Sequence, residues 1–175
     1  MVNLFSQAKV ADIESLLSAW RVGDFSNMPA FAVLDDVSMQ GAQGAFASEN
    51  GTVYLNGQLI QQSREQFLDP LTGIVGIAIE EIGHSVDNRL NPDQDTAGDE
   101  GERFKSAVLG ISLSEHELAV IASEDDTGTV YINNRYISVE QATRRGDNAN
   151  NRIGGTSYSD KLYGYGGNDK LYGGK

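Results

Sequence analysis

The stretch Ile74-Val75-Gly76-Ile77-Ala78-Ile79-Glu80-Glu81-Ile82-Gly83-His84-Ser85-Val86-Asp87 decides how the chain is read. Its first six residues are apolar almost all round, which marks a helix covered on most of its surface. Glu80, His84 and Asp87 follow at i, i+4 and i+7 and so stack on one helical face, with Glu81 one step around and three before His84. Carboxylates buried without a partner cost several kcal/mol. Something positive must stand beside them, either a divalent metal or an arginine such as Arg89 or Arg103. Glu81-x-x-His84 is also the spacing of di-iron bundles, but that architecture needs a second copy of the motif and four long helices.

Working outward, Asp69-Pro70 predicts an N-cap with proline at the first helical position, so the helix is expected over Leu71–Leu90, stopped by Pro92. Asn91 to Gly101 reads as an acidic loop, and Phe104, Ala107, Val108 and Leu109 as a short helix ended by Gly110. Ser114 with Glu117 predicts a capping box for a helix ending near Ala122, with His116 on an exposed turn. Thr129–Ile132 and Tyr136–Val139 predict a hairpin turning at Asn133-Asn134. Before the central helix, Ile13, Leu16, Leu17 and Trp20 give one helical face within Ser6–Trp20. Phe31–Val37 and Thr52–Leu55 give two or three strands of a small sheet. The expected fold class is α+β.

Composition narrows the function. The 175 residues suit one ordinary core, or one small core with an appendage. A net charge of −12 repels phosphate backbones and attracts cations, which excludes nucleic acid as a partner and favours Ca²⁺. No apolar run approaches the ~18 residues of a transmembrane helix. With no Cys, a metal must be held by His and carboxylates. Met1 to Val10 lacks the basic and apolar segments of a secretory signal peptide, so export is expected to use another route.

Past Gln141 the composition turns to Gly, Asn, Asp and Tyr with a nine-residue period. Gly146–Gly154, Gly155–Tyr163 and Gly164–Tyr172 align, with Ile153, Leu162 and Leu171 at the eighth position and Asn151, Asp160 and Asp169 at the sixth. The third unit lacks only the second glycine of the Gly-Gly-x-Gly-x-Asp-x-apolar-x pattern. Glycines permit tight turns, the apolar residue forms a short inward-facing strand, and turn carbonyls with the Asp carboxylate offer hard oxygen ligands. The calcium-binding candidates are Gly155, Asp160, Gly164, Gly166, Asn168 and Asp169. The chain ends at Lys175, one short turn into a fourth unit, which reads as a trimmed C-terminus.

These repeats resemble the haemolysin-type RTX parallel β-roll. That resemblance implies Ca²⁺ bound between successive turns, and a secreted bacterial protein exported by a type I route without an N-terminal signal. The central helix carries a second resemblance. Glu80-Glu81-Ile82-Gly83-His84-Ser85-Val86-Asp87 looks like the His-Glu-x-Gly-His-x-x-Asp helix of zincin metallopeptidases, with Glu80 in place of the first histidine. Asp99-Glu100-Gly101-Glu102-Arg103-Phe104 resembles the Asn-Glu-x-x-x-Phe helix of gluzincins, and Gly44–Asn56 resembles the strands that precede their active-site helix. The combination is similar to cyanobacterial-type proteins in which a Glu-Glu-x-Gly-His helix precedes RTX repeats. It implies a zincin-like domain over residues 1–140 and a short β-roll over 141–175.

Carried over, Glu80, His84 and Glu100 would ligate Zn²⁺ or another divalent metal, Glu81 would be the general base, and Asp87 would orient a ligand. Asp87 is otherwise a surface carboxylate at the helix end. The activity implied is hydrolysis of a peptide or protein substrate that pairs with the strand near Val53–Asn56; Tyr131 or Tyr136 would be oxyanion donors. Glu80 adds negative charge, weakening the Lewis acid and favouring harder ions such as Mn²⁺ or Ca²⁺. The alternative is a catalytically inactive, calcium-dependent structural or adhesion module on the same fold.

Overall fold

The computed structural model describes residues 4–5, 8–66, 73–92, 98–141, 144–146, 150–155, 162–164 and 166–173. Helix and strand are mixed, as expected for an α+β chain. In order they are α1 (Val10–Arg21), β1 (Ala30–Leu34), α2 (Asp36–Met39), β2 (Gly44–Ala47), β3 (Thr52–Asn56), α3 (Gly57–Gln66), α4 (Ile74–Leu90), α5 (Glu100–Leu109), α6 (Glu115–Ala122), β4 (Thr127–Ile132) and β5 (Arg135–Gln141). Four short strands follow: β6 (Arg144–Arg145), β7 (Arg152–Gly154), β8 (Leu162–Tyr163) and β9 (Lys170–Tyr172). Among the described residues no helix is long and apolar enough to cross a membrane.

Strands β1 to β5 form one sheet in the order β1-β3-β2-β5-β4, parallel between β1 and β3 and antiparallel elsewhere. Side chains alternate across a sheet, and here the two sets bury against different layers. Phe46, Val53 and Leu55 meet Leu59 of α3 and Ile77 of α4. Ala45, Ala47, Tyr54, Val130, Ile137 and Val139 meet Met39 of α2 on the opposite face. Outside α4, Ile13 and Leu16 of α1 pack with Phe5, Val86 and Phe104, so residues before the sheet cover the back of α4 and α5. Helix α4 therefore has sheet on one side and helices on the other.

Several boundaries differ from expectation. Helix α4 starts at Ile74 with Gly73 as N-cap; the Asp69-Pro70 signal lies outside the described residues. The acidic loop after Asn91 ends earlier than expected, because the Asp99 side chain accepts a hydrogen bond from Glu102 N at 2.7 Å and starts α5 at Glu100. The capping box at Ser114 and Glu117 is present. The hairpin turns with positive φ at both Asn133 and Asn134, as a two-residue turn requires. Strand β3 is internal, hydrogen-bonded on both sides by β1 and β2. It therefore offers no open edge near Val53–Asn56, which corrects the expected docking strand for an extended peptide.

Candidate functional site

Glu80, Glu81, His84 and Asp87 of α4 are all buried, as are Asp99, Glu100, Glu102 and Lys105 around α5. A glycine seam brings the two helices together. A Cβ on Gly101 would stand 2.5 Å from His84 Nε2 and 2.7 Å from the Glu80 carbonyl oxygen, and one on Gly83 would stand 2.7 Å from Gly101 Cα. The closeness sets the acidic first turn of α5 directly against Glu80 and His84. That turn tolerates carboxylates because the helix N-terminus presents unpaired N–H groups and a positive dipole end.

The side chains sort into two sets. His84 Nδ1 lies 2.7 Å from Glu100 Oε1, 3.2 Å from Glu140 Oε2 and 3.8 Å from Asp126 Oδ2. Glu140 arrives through sheet register: it pairs with Phe46, whose side chain faces α4, while Ile137 and Val139 face the other layer. Asp126 is fixed by the same hairpin, its carbonyl accepting from Gln141 N at 2.8 Å. The second set is Glu80, Asp99 and Glu102, whose ligand atoms lie within 4.8 Å of one another. Lys105 Nζ donates to Glu80 Oε2 at 2.6 Å and also to Glu102 Oε2. Asp99 Oδ1 borders the first set, 3.9 Å from His84 Nε2.

Glu80 thus faces an ammonium and is grouped with Asp99 and Glu102, not with His84 and Glu100 in the one donor set that the zincin resemblance implies. Arg89 is exposed and Arg103 partly so; the buried cation is Lys105. Asp87 is not a surface group: it is buried and accepts from Asn91 Nδ2 at 2.6 Å. Glu81 lies under β2, where a Cβ on Gly44 would meet its Oε1 at 2.6 Å. His116 is exposed, as expected. Lys105, Asp126 and Glu140 were missed by sequence reasoning. The only local signal was Glu140 falling out of phase with the apolar Ile137 and Val139.

Burial pushes the Glu80 carboxyl up to about 8 against the pull of Lys105, and Glu102 and Asp99 crowd it further. Lys105 is itself raised, since burial is outweighed by the charges of Glu80 and Glu102. Burial works against a charged imidazole at His84, yet its ring N–H donating to Glu100, the neighbouring Glu140 carboxylate and the charges of Glu81 and Glu100 hold it well above its ordinary range. Burial also raises Glu100, and lifts Asp126 to about 7.

In the tail the parallel pairs join residues eighteen apart. Arg152, Ile153 and Gly154 pair with Lys170, Leu171 and Tyr172, and Arg144 and Arg145 pair with Leu162 and Tyr163. Alternate nine-residue units are therefore paired, not successive ones. Asp169 Oδ1 accepts from Asn151 N at 2.9 Å, and a Cβ on Gly164 would stand 2.5 Å from Asp169 Oδ2. One pairing earlier, Asn151 Oδ1 crowds Gly146 in the same way. Gly155 donates to the Tyr172 carbonyl at 2.6 Å. Gly166 and Asn168 lie in the turn before β9, where Asn168 N donates to Asn150 Oδ1 at 2.7 Å. Asp160 lies outside the described residues.

Residues 145–175 match the family model of the RTX calcium-binding nonapeptide repeat (4 copies). This segment consists of RTX calcium-binding repeats. No curated protein and no solved structure matches the chain. The RTX segment is thus joined to an α+β unit whose acidic interior has to be understood from its own geometry.

Proposed function

We propose that this chain is a secreted, Ca²⁺-binding RTX protein whose tail coils as a parallel β-roll on Ca²⁺, carried by a non-hydrolytic domain over residues 1–140. The observation that carries this reading is the eighteen-residue register, which stacks Gly164 and Asp169 over Gly146 and Asn151. Two nine-residue units make one coil, and the later of the two stacked turns carries a carboxylate, Asp169, where the earlier carries the Asn151 amide. The space that a Cβ would fill at Gly164 leaves Asp169 close to backbone, a cradle of hard oxygens suited to Ca²⁺. Gly155, Gly164, Gly166, Asn168 and Asp169 are the proposed ligands, with Asp160 one unit away. When bound, Ca²⁺ supplies charge neutralisation to a chain of net charge −12. Type I export fits these repeats.

Hydrolysis has weaker support. A water polarised between Glu80, His84 and Glu100 needs Glu80 in that set, and Glu80 is paired with Lys105. The strand expected to pair with an extended peptide, β3, has no open edge. Glu81 keeps the buried position of a base, so the assignment is open to test. Casein incubated with the Zn²⁺- or Mn²⁺-loaded protein should stay intact, and Glu81→Gln should behave like the wild type; turnover lost only in that variant would restore the peptidase reading. For the tail, calorimetric titration with CaCl₂ should show saturable heat and a gain of β signal in far-UV circular dichroism. Asp169→Ala should lose most of both. A chain showing neither heat nor spectral change would overturn the proposal.

A further inference from the structure

The acidic set around His84 has a property the Lys105 set lacks. Glu80, Asp99 and Glu102 already enclose an ammonium. Among the described residues His84, Glu100, Asp126 and Glu140 enclose none, and a single ring nitrogen faces oxygens of three carboxylates. Nδ1 carries at most one proton and can satisfy one acceptor well. Glu100 Oε2 and Glu140 Oε2 are accordingly left without a hydrogen-bond partner, and Glu100 is 1% exposed. Buried carboxylate oxygens in that state are costly.

We propose that His84 Nδ1, Glu100, Asp126 and Glu140 hold one first-row divalent transition ion, Mn²⁺ or Zn²⁺, at a site separate from the calcium-binding tail. Ligand atoms of His84, Glu100 and Asp126 all lie within 4.8 Å of one another, and Glu140 Oε2 stands 3.2 Å from Nδ1 as the fourth oxygen at hand. Four ligands about 2.1 Å from an ion lie roughly 3.0–3.4 Å apart, so the 2.7 and 3.8 Å contacts of Glu100 and Asp126 with Nδ1 would open and close by about half an ångström around it. The ligand types select the ion: Ca²⁺ takes six to eight oxygens and Mg²⁺ keeps its waters, whereas imidazole with carboxylates suits Mn²⁺, Fe²⁺ or Zn²⁺. The ligands come from α4, from α5 and from both strands' ends of the β4–β5 hairpin. A bound ion would therefore pin the hairpin to the helix pair, a structural clamp at a place where these three elements meet through charged groups.

This site does not depend on the tail reading, and the test keeps them apart. The full chain, stripped with chelator and then saturated with CaCl₂ so that the repeats are filled, is titrated with MnCl₂ and with ZnCl₂ by calorimetry. One equivalent should bind. Asp126→Asn combined with Glu140→Gln should weaken binding by about tenfold or more, while Asp169→Ala should leave it unchanged. A readout free of any variant is the ¹⁵N spectrum of the imidazoles in the Zn²⁺-loaded protein. His84 should show ligation through Nδ1, with His116 unaffected. Absence of Mn²⁺ or Zn²⁺ heat in Ca²⁺, wild-type affinity in the double variant, or ligation through Nε2 would each overturn the proposal.

Discussion

Lys105 is 3% exposed and holds two carboxylates, Glu80 twenty-five residues away and Glu102 one turn away. Removing one partner of a buried ion pair is costly because the other is left dry, either charged or forced to take up a proton. Lys105→Met should therefore destabilise the fold by about 3–5 kcal/mol, read from the urea midpoint at neutral pH. Adding Glu80→Gln to that variant should recover a substantial part, since a neutral amide replaces the stranded carboxylate. If the double variant is as unstable as the sum of the two single ones, Lys105 acts through its packing and not through its charge. The sequence reading foresaw that Glu80 needs a positive neighbour, because burial could be read from the apolar run of α4. It did not identify the neighbour. Lys105 follows the helix-start signal of α5 by only a few residues, and nothing local distinguishes it from a solvated lysine.

At the scale of elements, caps and periodicity were legible wherever a local rule applies. Gly110, the Ser114–Glu117 box and the Asn133-Asn134 turn sit where expected because each satisfies backbone geometry within a few residues. Strand β2 was legible only through the resemblance of Gly44–Asn56 to the strands of zincins, since Gly44-Ala45-Phe46-Ala47 carries little strand propensity and is held by its neighbours in the sheet. Helix α3 was hidden, its sequence after Gly57 being largely polar. The close approach of α4 to α5 depends on the small size of Gly83 and Gly101. Gly101→Ala would gain about 1 kcal/mol of helix propensity, yet its Cβ would strike His84 and the α4 backbone. The net loss should be about 2–3 kcal/mol, accompanied by weaker Mn²⁺ binding as His84 is displaced. Gly51→Ala serves as the contrast. It meets nothing within 4 Å and carries only the strain of φ +64, so it should cost about 1 kcal/mol and leave metal affinity alone. Equal losses in the two variants would mean that the seam is looser than the geometry implies.

For the whole molecule, the direction of stability with pH follows from the acidic interior. Glu80 is raised from 4.5 to about 8 and Asp126 from 3.8 to about 7, and Glu100 and His84 are raised as well. Each of these groups binds its proton more tightly in the folded chain than in the unfolded one. Between about pH 5 and 8 the metal-free folded state therefore holds more protons, and its stability falls as pH rises. Lys105 acts in the same sense but only at higher pH. The exposed carboxyls Asp24, Asp35 and Glu117 are lowered, and act in the opposite sense only in more acidic solution. In EDTA the melting temperature should accordingly be higher at pH 5 than at pH 8, by roughly 5 °C or more. Supplying Mn²⁺ together with Ca²⁺ should erase or invert that difference, because the ions then do at pH 8 what protons do at pH 5. A melting temperature that climbs with pH in EDTA would mean that the buried carboxylates are already ionised and neutralised by the protein itself. In that case the His84 cluster would have no need of an ion.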